Sequence, residues 1–187
     1  MMTARDIQGM EMVPFGPMNG KSFGTSISPW IITLEALASF KTSAPVRNPE
    51  VELALYLQDP DPKPSFDIGV EVSLQLAEAS VSSTVCRSKF SSMYWTLKDM
   101  VAQQTVNGCS LNTGDLLASG TISGPTLDSH GCLLELSPKG GAEVKTADGG
   151  VERRIFLKDG DIVSLIASAG PGVGFGECVG KIIEARS

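Results

Sequence analysis

The sequence predicts a mainly β fold with one or two helices, and three features carry that expectation. Phe66, Ile68, Val70, Val72, Leu74 and Leu76 alternate with Asp67, Gly69, Glu71, Ser73 and Gln75, the period of a half-buried strand. Later short apolar runs are separated by Gly and Asp-Gly pairs, the usual punctuation of turns. Met93, Leu97, Met100, Val101 and Gln104 alone keep a sustained 3.6-residue period, which marks a helix.

Taken in order, the first regular element is a short helical turn after Ser28-Pro29, with proline at the first helical position. Residues 50–57 read as a strand paired with the 66–76 strand. The run Asp59-Pro60-Asp61-Pro62-Lys63-Pro64 between them fits neither a helix nor a central strand, so the pair is a long-loop hairpin. Ser91 or Ser92 caps the helix at 93–104, and Asn107-Gly108 ends it. Strands are expected over 115–121, 132–136, 153–157, 161–167 and 176–183, and 142–150 reads as a polar surface turn. No repeat, heptad or linker interrupts the chain. Its 187 residues therefore read as a single domain spanning 1–187, long enough for one real core and too short for two.

Composition narrows the function classes. A hydrophobic share of 42% beside 19% charged residues is that of an ordinary globular protein. A net charge of −6 argues against nucleic-acid or anionic-membrane partners. No run approaches the roughly 18–20 apolar residues that span a bilayer, and residues 1–6 lack the apolar stretch of a secretion signal. Cys86, Cys109, Cys132 and Cys178 are irregularly spaced with no C-x-x-C pair. They read as buried reduced thiols of a cytoplasmic protein rather than a zinc or redox site.

Residues 4–30 concentrate the chemistry. Arg5, Asp6 and Gln8 place a cation, a carboxylate and an amide side by side, and Lys21 stands between Gly20 and Gly24. A guanidinium fork with an amide donor suits developing negative charge on oxygen, and the glycines let backbone approach a ligand closely. Each residue also has a plainer reading. Arg5 with Asp6 makes a surface ion pair, and Lys21 is a solvated charge. Thr121 sits in a Gly-Thr-Ile-Ser-Gly turn, and Glu135 alternates outward on a strand. His130, the one histidine, is a loop residue without a nucleophile-elbow motif near it.

Motifs along the whole chain tip the balance. Ala4-Arg5-Asp6-Ile7-Gln8, Pro14-Phe15-Gly16-Pro17, Gly20-Lys21-Ser22-Phe23-Gly24-Thr25 and Ser28-Pro29-Trp30 resemble the active-site segment of the fumarylacetoacetase family. The resemblance continues in order through Met93-Tyr94-Trp95-Thr96, Val106-Asn107-Gly108-Cys109, Gly120-Thr121-Ile122-Ser123-Gly124, Leu134-Glu135-Leu136-Ser137 and Gly174-Phe175-Gly176-Glu177-Cys178. It covers residues 4 to about 182 and implies the mixed β-sandwich roll of that family's C-terminal domain. It further implies hydrolysis of a carbon–carbon bond in a diketo acid, the last step of tyrosine breakdown, by a cytoplasmic homodimer using Ca2+ and Mg2+. Arg5, Gln8 and Lys21 match the residues that stabilise the departing carbanion, and Gln8, Met12 and Thr121 match those that contact substrate. Glu135 matches the carboxylate that orients a histidine base. Lys21, through its carbonyl, and Thr25 match a secondary magnesium site.

The chain departs from the family at three places. The base histidine and three of the four carboxylates of the principal metal lie upstream of residue 1, and Met1 stands where the fourth carboxylate belongs. Met12 replaces a tyrosine whose hydroxyl faces substrate, a contact worth about 0.5–1.5 kcal/mol. The resemblance therefore implies a C-terminal segment that is nearly inactive alone. Glu50, Glu52, Asp59 and Asp61 read as solvated and replace none of the missing ligands. Two other readings stay open: a related acylpyruvase or oxaloacetate decarboxylase, and a non-catalytic copy acting as a dimerisation partner.

Overall fold

The computed structural model describes residues 3–185. Among them are three helices, α1 (Arg5–Glu11), α2 (Leu97–Thr105) and α3 (Leu133–Leu136). The strands are β1 (Lys41–Thr42), β2 (Ser65–Phe66), β3 (Gly69–Gln75), β4 (Ser83–Lys89), β5 (Ala142–Lys145), β6 (Val151–Arg154), β7 (Ile162–Ser168) and β8 (Gly174–Lys181). The frame is an antiparallel sheet in the order β4-β3-β7-β8. Two antiparallel pairs, β1 with β2 and β5 with β6, stand beside it. The mainly β expectation holds, with few helices.

The apolar positions at the two ends of the 66–76 run are buried as predicted, although the run is not one strand: β2 ends at Phe66 and β3 begins at Gly69. Phe66 and Ile68 are buried in one apolar cluster with Leu37, Phe90 and Ala169. Leu74 and Leu76 are buried in another with Ala79 and Val144. Each such buried side chain contributes about 1.5–3 kcal/mol, so these two clusters fix which face of the sheet turns inward. Met93 and Ile122 pack against the first cluster, and Leu157 against the second. These three anchor the loops that carry the candidate site.

Several elements depart from the sequence expectation. Residues 50–57 form no strand; only a 3-10 turn at Leu55–Leu57 is present, and Leu55 is 85% exposed. The partner of β3 is instead β4, whose Ser-Thr-Val-Cys-Arg-Ser-Lys sequence offers almost no apolar alternation to betray it. Residues 115–121 form no strand. Residues 142–150 are not a surface turn: they contain β5, whose Ala142 and Val144 are buried, and the turn into β6. β6 covers only the start of the 153–157 run, whereas β7 and β8 fall where expected.

The helices shift too. α2 begins at Leu97, because Thr96 caps it in a reciprocal box with Asp99, while Ser91 and Ser92 end a 3-10 turn. No helix follows Pro29; that chain stays extended until a turn at 34–37 and a 3-10 helix at Ala38–Phe40. α1, unpredicted, has no side-chain cap and buries no residue. Its helical start rests on a tertiary contact, since the Ala4 N–H donates to the Gly20 carbonyl at 2.9 Å.

Candidate active site

Arg5 and Gln8, three residues apart, share a face of α1. Arg5 Nη1 donates to Gln8 Oε1 at 2.7 Å, and Nη2 donates to Cys132 Sγ at 3.1 Å. The pairing of Arg5 with Gln8 and Cys132 displaces the plainer expectation of an ion pair with Asp6. Cys132 immediately precedes α3, and Arg5 and Cys132 both line a cleft of about 340 Å3 whose lining also includes Tyr94, Thr121, Ser123 and Glu135. An adjoining cleft shares Arg5, Thr121 and Cys132 and extends to Phe156 and Ile182.

Glu135 lies on α3, not on the expected strand. The preceding Gly131 allows this path: a Cβ there would stand 2.5 Å from the Ile122 carbonyl oxygen. Residues 121–123 therefore run directly alongside Gly131. Ser123 Oγ accepts from the Gly131 N–H at 3.1 Å and donates to Glu135 Oε2 at 2.8 Å. Sequence reading gave no role to Ser123, although its place in the Gly-Thr-Ile-Ser-Gly turn was visible.

Lys21 directly follows Gly20, whose backbone packs against α1. Gly20 is buried against the helix, and Glu11 accepts from the backbone N–H groups of Met18, Asn19 and Gly20 at 2.9, 3.0 and 3.0 Å. Those amides, Gly20's foremost, hold the Glu11 carboxyl below its ordinary range. Glu11 was not singled out in the sequence. Met12 follows α1, 53% exposed, and Thr25 is exposed; neither lines the two clefts. The structure thus brings Arg5, Thr121 and Glu135 together in one cleft and pairs Gln8 with Arg5, while Gln8, Lys21, Met12 and Thr25 line neither cleft. Met1 lies outside the described residues.

His130 lines neither cleft, and its Nδ1 is buried without a hydrogen-bond partner among the described residues. The four cysteines are free, but only Cys86 is buried. Burial, then the charges of Glu135 and Asp128, push its thiol pKa up. Asp59 and Asp61 are not simply solvated as expected: Lys98 pairs with both and Lys41 with Asp61.

Among the described residues no three His, Cys, Asp or Glu side chains group closely enough to hold a metal ion. The described donors therefore do not fit a four-carboxylate site. The Lys21 carbonyl and the Thr25 hydroxyl have no hydrogen-bond partner among the described residues.

A β-rich chain with a cleft walled by one cation, Arg5, and one carboxylate, Glu135, is the class that fold and site define. The chain belongs to the fumarylacetoacetate (FAA) hydrolase family, whose C-terminal model matches residues 2–183. It is 46% identical over 196 residues to a fumarylacetoacetase of Bos taurus, covering 99% of this chain and 44% of the relative. Fumarylacetoacetases of Dictyostelium discoideum and Homo sapiens are 46% and 44% identical over 186 residues, 98% of this chain and 43% of each relative. The chain therefore spans less than half the length of the curated relatives it matches.

Proposed function

We propose that this chain is the C-terminal part of a fumarylacetoacetase and works in the hydrolysis of 4-fumarylacetoacetate to fumarate and acetoacetate. The observation that carries the reading is Arg5, paired with Gln8, lining one cleft with Thr121 and Glu135.

In this reaction water loses a proton to a base as its oxygen bonds to a carbonyl carbon. The adjacent carbon–carbon bond then breaks, its electron pair leaves as the acetoacetate enolate, and the enolate takes up a proton. Arg5 donates toward the enolate oxygen. Gln8 Oε1 is engaged by Arg5, which leaves the Gln8 amide N–H groups to donate as well. Lys21 adds positive charge beside them, and Thr121 donates to a substrate carboxylate. Ser123 holds Glu135 through Oε2, leaving Oε1 to orient an imidazole base. His130 stands outside both clefts, which supports a base drawn from outside this stretch of the enzyme. The chain alone then turns over several orders of magnitude more slowly than a complete enzyme.

The Lys21 carbonyl and Thr25 would hold Mg2+, whose charge would add to that of Lys21. The family's Ca2+ would be held elsewhere. The complete protein works in the cytoplasm as a homodimer; exposed apolar side chains such as Phe15, Ile31 and Val46 support a covered face. Titration of acetoacetate by calorimetry tests the reading. Wild-type chain binds it, and Arg5→Ala weakens binding tenfold or more, as expected when a charged hydrogen bond worth about 1.5–3 kcal/mol is lost. No binding by the wild type, or equal binding by both, would sink it.

A further inference from the structure

α1 carries Arg5 and Gln8, and Lys21 ends the 3-10 turn Asn19–Lys21. Apolar burial does not press these two pieces together, since α1 buries no residue and Met10, Met12 and Met18 are all exposed. Polar contacts do so instead. Three successive backbone amides, Met18 through Gly20, converge on the Glu11 carboxylate. Such a row of N–H groups makes an anion nest, and here the chain fills it with its own side chain. The first N–H groups of a helical turn have no partner within it, so the carboxylate satisfies donors that would otherwise need water. The Ala4–Gly20 hydrogen bond and the close approach of Gly20 to Gln8 complete the seam.

We propose that Glu11 is a positioning residue, clipping the 18–20 turn to α1 and so fixing Lys21 relative to Arg5 and Gln8. The clip itself stands on the hydrogen bonds; the ligand it serves rests on the function proposed above. Glu11 does not transfer protons in this role. Its carboxylate is occupied by three donors and stays ionised at neutral pH, far from the poise of a general acid.

Two measurements on the full chain separate the clip from the ligand. In the first, amide exchange is followed by NMR in wild type, Glu11→Ala and Glu11→Gln. The alanine variant raises exchange at Met18, Asn19 and Gly20 at least tenfold without raising it across the β3–β7 sheet. Glutamine, which keeps one accepting oxygen, restores part of the protection. In the second, acetoacetate affinity is compared for Glu11→Ala, Lys21→Ala and the double variant. The double variant binds no worse than Lys21→Ala, because Glu11 acts through Lys21. Unchanged exchange at the three amides, or affinity losses that simply add, would overturn the inference. Failure of the wild type to bind acetoacetate defeats the ligand assignment, while the exchange measurement still decides the clip.

Discussion

Gly20 is packed so tightly on Gln8 that a Cβ at Gly20 would stand 2.8 Å from the Gln8 backbone nitrogen and 3.0 Å from its Cα. The Ala4 carbonyl would lie 3.1 Å away on the same side. All three neighbours are backbone, so no side-chain rotation relieves the contact. Glycine at position 20 is thus required by a close approach between two segments, not by its own dihedral angles.

Gly20→Ala should therefore part the 18–20 turn from α1. Forcing a methyl group into filled space typically costs about 1–3 kcal/mol. Urea unfolding should show a loss in that range, and acetoacetate affinity should fall with it. A variant as stable as wild type, within about 0.5 kcal/mol, would mean the two segments are not in contact.

Ser123→Ala removes the hydroxyl shared by Glu135 and Gly131. The Gly131 amide then loses its acceptor, and its exchange with solvent should quicken severalfold, read by NMR. Stability should fall by only about 0.5–1.5 kcal/mol, the net worth of an ordinary hydrogen bond. A protected Gly131 amide in the variant would show that another acceptor holds this loop.

The sequence announced some of this architecture and concealed the rest for identifiable reasons. The 66–76 alternation stood out because its two ends, Phe66 with Ile68 and Leu74 with Leu76, are each buried in an apolar cluster. β4 was concealed because its residues are mostly polar and its place is set by pairing with β3. Glu135 read as a strand residue because Leu134-Glu135-Leu136 alternates; the four-residue helix there follows from the Gly131 approach to Ile122, a long-range constraint. Arg5 and Gln8 were legible by spacing and resemblance, whereas Glu11 and Ser123 were not. Their work is to hold backbone amides brought near by the fold, and no local pattern records that.

Thr96→Ala should destabilise the chain by about 1 kcal/mol, the usual worth of a helix N-cap. Thr96 Oγ1 accepts from the Asp99 N–H, and the Asp99 carboxylate accepts from the Thr96 N–H at 2.8 Å. The same carboxylate oxygen accepts from Arg47 Nη2 at 2.5 Å, and Arg47 lies over the rings of Tyr94 and Trp95. The variant should retain the Arg47 pair, so Thr96→Ala and Arg47→Ala losses measured by urea unfolding should be separable. A loss above about 3 kcal/mol, the scale of breaking a buried ion pair, would mean that the cap holds Arg47 as well.

Asp161 should make the fold sensitive to acid. It is fully buried, and Arg154 Nε and Nη2 donate to its two oxygens at 2.8 and 3.2 Å. Burial alone would raise its pKa, but the bonds from Arg154 and the Lys158 N–H outweigh it, leaving the pKa below the ordinary value. The folded state therefore binds this proton less readily than the unfolded chain, whose aspartates titrate near about 3.9. The stability it contributes is complete above that pH and is lost as pH falls from there through the folded pKa. Asp161→Asn should cost about 3–5 kcal/mol at neutral pH, because it breaks a buried pair and leaves Glu152 as the one acidic partner of Arg154 among the described residues. The gap between wild type and variant should narrow as pH drops below about 4, where the unfolded chain's aspartate takes up a proton that the folded carboxylate still refuses. Urea unfolding of both proteins at pH 7, 4 and 3 measures this. A gap that stays constant with pH would mean that the Asp161 charge is not what ties the end of β6 to the start of β7.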